Sequence, residues 1–395
     1  RLQAELEPLS RRYDVVVANP PYMGSSNMNG WLSGWTKKRY KEVCKDLCTC
    51  FIKRGFSLSD DRGYEALITS DTCMYISSFE KLRKEVIERT SIVCFIDTRG
   101  TNAHPDVFDA NAGWVLWNHP GANIKGSYFK LNHPIPEKGQ RLLEALANPD
   151  CGWFYRTDAS GFESIPGSPI AYWASKAVLK TFKTSLRIGS IAFAGKGVVT
   201  GNDARFLRLW YEIAKDNFSE FASFGFSKWK PCNKGGQFRR WFGNNDYVIN
   251  WGKDGIELKE HCWPDGRQRS SMRNSQYMFR SAITWTYITS GKPCFRYYPE
   301  GYAFVGVGPG VFPKNNDELL LLLAFLNSSV FFNLSSICGG STISLESGEV
   351  ERAPYKSPAA HDLRIKAIAH ENVVLSENDW DSFEISWNFC KHPLI

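Results

Sequence analysis

In the first 120 residues, short apolar runs rich in β-branched and aromatic side chains alternate with amphipathic stretches at helical spacing. That alternation limits what the chain can fold into. Residues 13–18 (YDVVVA) read as a buried strand, 37–59 as a helix from the spacing of Val43, Leu47 and Phe51, and 64–69 as a second strand. Residues 79–89 give a further helix, 92–96 a third strand and 114–117 a fourth. Strands separated by helices of this length imply βα crossovers, and hence a parallel sheet with helices on both faces, half of a doubly wound α/β domain. Beyond it lie a short strand, a helix over 138–147 and the turn-rich SIPGSP at 164–169, which reads as a domain junction.

After about residue 185 the texture changes to short strands, aromatic residues and turns. The clearest hairpin signal is FRRWF-GNND-YVINW over 238–251, and residues 317–332 read as a buried helix with an acidic start. A chain of 395 residues, 43% hydrophobic and 23% charged, supports such a two-domain division. Its longest apolar run, Leu319 to Leu326, is far short of the roughly 18 residues a membrane span needs, so no membrane association is expected. Eleven cysteines without regular spacing imply thiols kept reduced, as in the cytoplasm. Cys44, Cys48 and Cys50 form the tightest group, but no C-x-x-C pair or nearby histidine completes a tetrahedral set. They read as an apolar stripe, and no metal site is expected.

Net charge is +7, and residues 181–300 alone hold 19 Lys and Arg against 10 Asp and Glu. Trp210, Tyr211, Trp229, Phe238, Trp241, Phe242, Tyr247 and Trp251 are mixed into this stretch. Cations neutralise phosphates and flat rings stack on bases, so the pattern suits a nucleic-acid surface. It equally suits a solvated basic face over an aromatic core.

Asn19-Pro20-Pro21-Tyr22 follows directly on the first strand. In open α/β sheets, ligands bind beyond the carboxyl ends of the strands, which is where these four residues lie. An NPPY tetrapeptide at the end of a strand resembles the signature of S-adenosylmethionine-dependent methyltransferases that act on a planar, conjugated amino nitrogen. Such a nitrogen is a weak nucleophile. Two acceptors, the Asn19 side-chain oxygen and the Pro20 carbonyl, would hold its two N–H groups and favour a pyramidal form, without a strong base or covalent intermediate. Tyr22 offers a ring face for a base swung out of the duplex, and Pro20 and Pro21 stiffen the loop. Cytosine C5 methylation needs a nucleophilic cysteine; Pro231-Cys232-Asn233 has one, but neither a preceding strand nor a doubly wound unit is expected around it.

Longer blocks narrow the resemblance. NPPYMGS (19–25), FEKLRKEVIE (79–88), IPGSPIAYWAS (165–175), TGNDARFLR (200–208), NKGGQFRRWFGNNDYVINW (233–251), RYYPEG (296–301), LAFLNS (323–328) and SENDWDSFEISWNF (376–389) are similar to the PglX family, adenine-specific DNA methyltransferases of the BREX phage-defence system. The resemblance implies that Asn19, Pro20, Pro21 and Tyr22 form the catalytic loop, that Asp46 and Leu47 border the cofactor, and that Phe108 packs against the flipped base. It also implies S-adenosylmethionine as cofactor, double-stranded DNA as substrate and other BREX proteins as partners. The family places a Gly-rich cofactor loop and about three strands before NPPY. Only 18 residues precede Asn19, so the chain reads as a fragment that lacks the main cofactor loop and is inactive by itself. The late Gly306-Val307-Gly308-Pro309-Gly310 run does not lead into a helix and reads as a plain loop.

The expected architecture is therefore the C-terminal half of a doubly wound methyltransferase domain (1–135), a connecting segment (136–184) and an α+β target-recognition domain (185–395). In the last of these, Lys196, Arg205, Arg208, Lys234, Arg239 and Arg240 are candidates for phosphate or guanine contacts, Asn202, Gln237, Asn244 and Asn245 for adenine edges, and Trp241 for stacking. Two alternatives stay open: a DNA-binding specificity module without catalysis, and an amino-methyltransferase acting on rRNA or a protein glutamine.

Overall fold

Six strands of the first unit, Arg1–Thr184, form one sheet. They are β1 (Tyr13–Ala18), β2 (Ser59–Ser70), β3 (Ser91–Asp97), β4 (Asn111–Trp117), β5 (Lys125–Lys130) and β6 (Phe154–Asp158), in the order β1-β2-β4-β3-β5-β6. The computed structural model describes residues 7–98, 111–121, 124–132, 134–214, 228–289, 291–339, 344–358, 361–392 and 394–395. β1 runs parallel to β2 and β3 parallel to β5, but β4 is antiparallel to both β2 and β3, and β6 to β5. The sheet is thus mixed rather than parallel.

The expected helix over 37–59 is two helices, Gly30–Arg39 and Leu47–Leu58. Asp46 divides them: its carboxylate accepts from Cys48 N at 3.0 Å, an N-cap that starts the second helix afresh. Cys48, Cys50, Ile52 and Phe56 of that helix are buried. Burial pushes the Cys50 thiol up to about 12 and the Cys48 thiol up as well. An aromatic centre, Phe95, Trp114, Tyr128 and Tyr172, holds the sheet to the segment after it. Trp114 Nε1 donates to Thr69 Oγ1 at 2.9 Å, and the Tyr172 hydroxyl donates to Asp97 Oδ2 at 2.8 Å.

Residues 136–184 pack as part of this unit. They contribute β6, and SIPGSP lies within the fold, with Ile165, Ser168 and Ile170 buried. The chain divides instead between Thr184 and Ser185. β1 departs from its reading as a buried strand. It is the edge of the sheet, and Val15 and Val17 are 57% and 74% exposed.

The second unit, Ser185–Ile395, is α+β. Its strands are β7 (Leu186–Arg187), β8 (Ala192–Gly195), β9 (Leu207–Leu209), β10 (Trp229–Asn233), β11 (Tyr247–Asn250), β12 (Ala282–Trp285), β13 (Phe295–Tyr298), β14 (Ala303–Phe304), β15 (Gly310–Pro313) and β16 (Pro354–Tyr355). Among the described residues they form sheets ordered β14-β10-β11-β9, β13-β12-β15-β8 and β16-β7. The hairpin expected over 238–251 does not form. β11 pairs antiparallel with β10 and β9 instead, and residues 234–246 make a long loop between β10 and β11. Trp241 and Asn244 adopt positive φ (70° and 65°), which breaks strand alternation, while Phe242 turns into the core.

The helix read over 317–332 is broken as well. Leu319–Leu326 is buried, and it meets Ser329–Cys338 at 84°. The bend is built by Asn327, whose side chain exchanges two 3.0 Å hydrogen bonds with the backbone of Phe295, and by Ser328, which caps the next helix. Among the described residues no single helix is long and apolar enough to cross a membrane.

Candidate catalytic loop and nucleic-acid surface

Asn19 to Tyr22 leave the carboxyl end of β1, which runs parallel to β2. Asn19, Pro21 and Tyr22 are exposed and Pro20 is buried, so the loop is anchored by one proline and displays the rest. The Tyr22 hydroxyl donates to Asn19 Oδ1 at 3.3 Å. Burial, followed by the nearby Cys48 thiol, raises the Tyr22 phenol above its usual range, so the ring stays neutral and keeps its proton to donate.

The next residues fasten the loop to the start of the helix Leu47–Leu58. Ser25 N donates to Lys45 O at 2.8 Å and Leu47 N to Met23 O at 3.0 Å. Asp46 and Leu47 are thereby brought beside the residues that follow the NPPY tetrapeptide. Asp46, however, spends its carboxylate on the helix cap, and it is Leu47 that lines a cleft of about 520 Å³. Trp35, Tyr40 and Phe51 give that cleft aromatic walls, Arg39 and Arg54 add two guanidinium groups, and no carboxylate lines it. None of these five was singled out as a site residue, although the aromatic spacing Trp31, Trp35, Tyr40 was visible. The Trp31 and Trp35 rings stack at 6.4 Å on one helix face. Phe108 lies outside the described residues.

In the second unit most of the candidate cations are already engaged. Lys196 pairs with Glu346 at 3.1 Å and lies over the Tyr287 ring; burial alone would lower its pKa, but hydrogen bonds to Tyr287 and Glu346 raise it. Arg205 pairs with Glu257 at 3.5 Å, Lys234 with Asp203 at 3.0 Å and Arg239 with Asp379 at 2.8 Å. Arg208 donates to the carbonyls of Ala204 and Leu207. Asn202 caps a short helix by accepting from Arg205 N, and Asn244 is buried and donates to Gln237 O at 2.9 Å. Trp241 is half-buried and bridged to Arg296.

Arg240 differs. It has no carboxylate partner among the described residues and lies over the Phe238 ring at 5.6 Å. Lys234, Gln237, Arg239, Arg240, Trp241 and Asn244 thus share one loop, but only Gln237 and Arg240 present free polar groups on it. Cys232, set aside as a nucleophile, sits inside β10 rather than after no strand; it is fully buried and its thiol is pushed up by burial.

Residues 4–104 match the family model described as Eco57I restriction-modification methylase. The chain is 35% identical over 394 residues to the adenine-specific methyltransferase BrxX of Escherichia coli O9:H4 (strain HS). It is 36% identical over 400 residues to the adenine-specific methyltransferase PglX of Lacticaseibacillus casei (strain Zhang). Each match covers 98% of the chain but only 31% and 33% of the relative, so the chain spans about a third of their length. Among solved structures, the Type IIL restriction-modification enzyme MmeI in complex with DNA aligns with a TM-score of 0.59 at 11% identity, covering 95% of the chain and 50% of that enzyme. The DrdV–DNA complex aligns at 0.53 and 11% identity, over 95% and 45% of the two chains. At such identities these two alignments speak to the fold alone.

Proposed function

We infer, for a chain that belongs to the PglX-type family of adenine-specific methyltransferases, that it carries the catalytic loop and the target-recognition part of a DNA adenine methyltransferase. The observation that carries this reading is the exposed Asn19–Tyr22 loop at the carboxyl end of a parallel strand, whose following residues are hydrogen-bonded to the start of the helix Leu47–Leu58. A flipped adenine brings two N–H donors. Asn19 Oδ1 takes one by giving up its bond from Tyr22, and the Pro20 carbonyl takes the other, favouring a pyramidal nitrogen whose lone pair is withdrawn from conjugation with the ring. Tyr22, released from Asn19, is free to lie flat on the base.

S-adenosylmethionine, when bound, supplies an electrophilic methyl group. The cleft suits parts of such a molecule: Trp35, Tyr40 and Phe51 can take a flat heteroaromatic ring and Arg39 can face its carboxylate, while Arg54 already donates to the Leu9 carbonyl and the Ser57 hydroxyl. These residues would form one wall of the cofactor site. Asn19 keeps its hydrogen bond to the amino group while the second N–H proton passes to solvent.

Double-stranded DNA is the proposed substrate, bound through the second unit, and phage defence alongside other BREX proteins is the proposed setting. The test is methyl transfer from labelled S-adenosylmethionine by the full-length protein, offered duplex DNA, rRNA and protein. Label in DNA as N6-methyladenine supports the reading. Label confined to rRNA or protein glutamine overturns it.

A further inference from the structure

The loop 234–246 carries an exposed aromatic side chain on a backbone that neighbouring residues pin at several points. Gly235 and Gly236 turn the chain at φ 82° and 119°, and a Cβ at Gly236 would sit 2.8 Å from Asn244 Nδ2. The carbonyls on both sides of Phe238 are held. Thr286 Oγ1 donates to Gly236 O at 2.9 Å, Asn244 Nδ2 to Gln237 O at 2.9 Å and Arg296 Nη1 to Arg239 O at 3.2 Å. Trp241 N then donates to Phe295 O at 2.8 Å. Among these anchored residues Phe238 points outward, 61% exposed. A rigid loop that exposes a phenyl ring has already met the ordering cost that an apolar contact normally carries.

The electrostatics narrow what the ring meets. From Trp229 to Asp246 the sequence has four cations, Lys230, Lys234, Arg239 and Arg240, and one carboxylate, Asp246 at the end of the loop. Arg296 beneath the loop is fully buried without a carboxylate partner among the described residues, and its Nε and that of Arg240 have no hydrogen-bond partner. Lys234 and Arg239 are neutralised by Asp203 and Asp379. Among the described residues the charge here without a carboxylate partner is carried by Lys230, by Arg296 underneath and by Arg240, which lies over Phe238. An exposed ring backed by uncompensated positive charge suits a polyanion with flat faces.

We propose that Phe238 is a stacking wedge that inserts against a base step of bound DNA, with Arg240 on the adjoining phosphate. This rests on the reading that the second unit binds DNA. Lys234 and Arg239 then act as supports of the loop rather than as contacts.

The test uses the full-length protein. A 40-base-pair duplex is first selected for binding from a random pool, and 2-aminopurine is then placed at its successive adenines. Expected for Phe238→Ala is an affinity loss of about tenfold at constant salt, with the slope of log K against log salt unchanged. The rise in 2-aminopurine fluorescence that the wild type produces at one step should disappear with it. Phe238→Trp restores both, and Arg240→Ala lowers the salt slope by about one.

Phe238 is exposed, so an unchanged melting temperature is expected for its variants. Wild-type binding with a Phe238→Ala variant that binds and unstacks equally well overturns the wedge alone, and assigns the ring to another partner such as an apolar protein surface. A wild-type protein that selects no duplex overturns the DNA reading and the wedge together.

Discussion

Gly55 and Glu65 occupy one another's space. The Glu65 carboxyl lies where a side chain at position 55 would begin, in the contact between the helix Leu47–Leu58 and β2. Glu65 is 1% exposed and neither oxygen has a hydrogen-bond partner. A methyl group added there has to displace a buried carboxyl within a packed core, so Gly55→Ala should cost about 1–3 kcal/mol. In a Glu65→Ala background the same change should turn neutral or favourable by up to about 1 kcal/mol, because only the helix-propensity gain remains. A double-mutant cycle by urea unfolding measures the coupling; additive effects would mean the two residues do not compete.

Buried carboxyl groups also set a pH dependence of known sign. Burial raises Glu65 well above its usual value and raises Glu349 to about 7, against the opposing hydrogen bond from Glu346 N. Unfolded glutamate ionises near 4.3, so between about pH 4.3 and 7 the folded chain keeps protons that the unfolded chain has released. Stability should therefore fall as pH rises through this window. Glu349→Gln should flatten the fall. Unfolding midpoints from pH 4 to 8 that are level, or that rise, would contradict this.

Asn19→Ala in the full-length protein should reduce methyl transfer by about 10²–10³-fold, since it removes an acceptor aimed at the reacting amino group. DNA affinity should change by less than about threefold, measured by anisotropy on the same duplex. Tyr22→Phe should keep most activity, because the ring stays and Asn19 no longer needs to give up a bond to it. Tyr22→Ala should lose far more. Equal loss from both tyrosine variants would make the hydroxyl, rather than the ring face, the working part.

Arg83 is fully buried and donates to the carbonyls of Cys73, Ile76, Gly167 and Ser168 at 2.6–3.1 Å. Arg83→Met should cost about 3 kcal/mol or more by leaving these carbonyls unpaired, and Arg83→Lys should not recover it, since one ammonium cannot reach both pairs. Thermal unfolding reads both variants.

The adjacent Arg239 and Arg240 should behave oppositely. Arg239 is committed to Asp379 and lies over Trp380, so its loss should lower the melting temperature and leave the salt slope of DNA binding unchanged. Arg240→Ala should do the reverse. A lowered slope for Arg239→Ala would show that DNA displaces Asp379.

The strand and helix alternation of the first unit was legible because each element carries its own period. Helices over 79–89 and 138–147 and strands over 64–69, 92–96 and 114–117 fall within observed elements. Strand direction was not legible, since β4 owes its reversal to partners on both sides. Periodicity also could not see Asp46 restarting a helix, because the apolar spacing runs on through the cap. The NPPY loop was readable from local order alone. The basic surface was not: charge counts cannot tell Arg240 from Arg239, whose partner Asp379 lies 140 residues away.

β1 pairs with β2 on one side only among the described residues, and Val15 and Val17 stand exposed on one face. An edge strand that shows valines to solvent and keeps amide and carbonyl groups unpaired among the described residues is a template for adding another strand. Produced by itself, this polypeptide should self-associate through that edge, and charged substitutions at Val15 and Val17 should keep it in solution without touching the loop that follows.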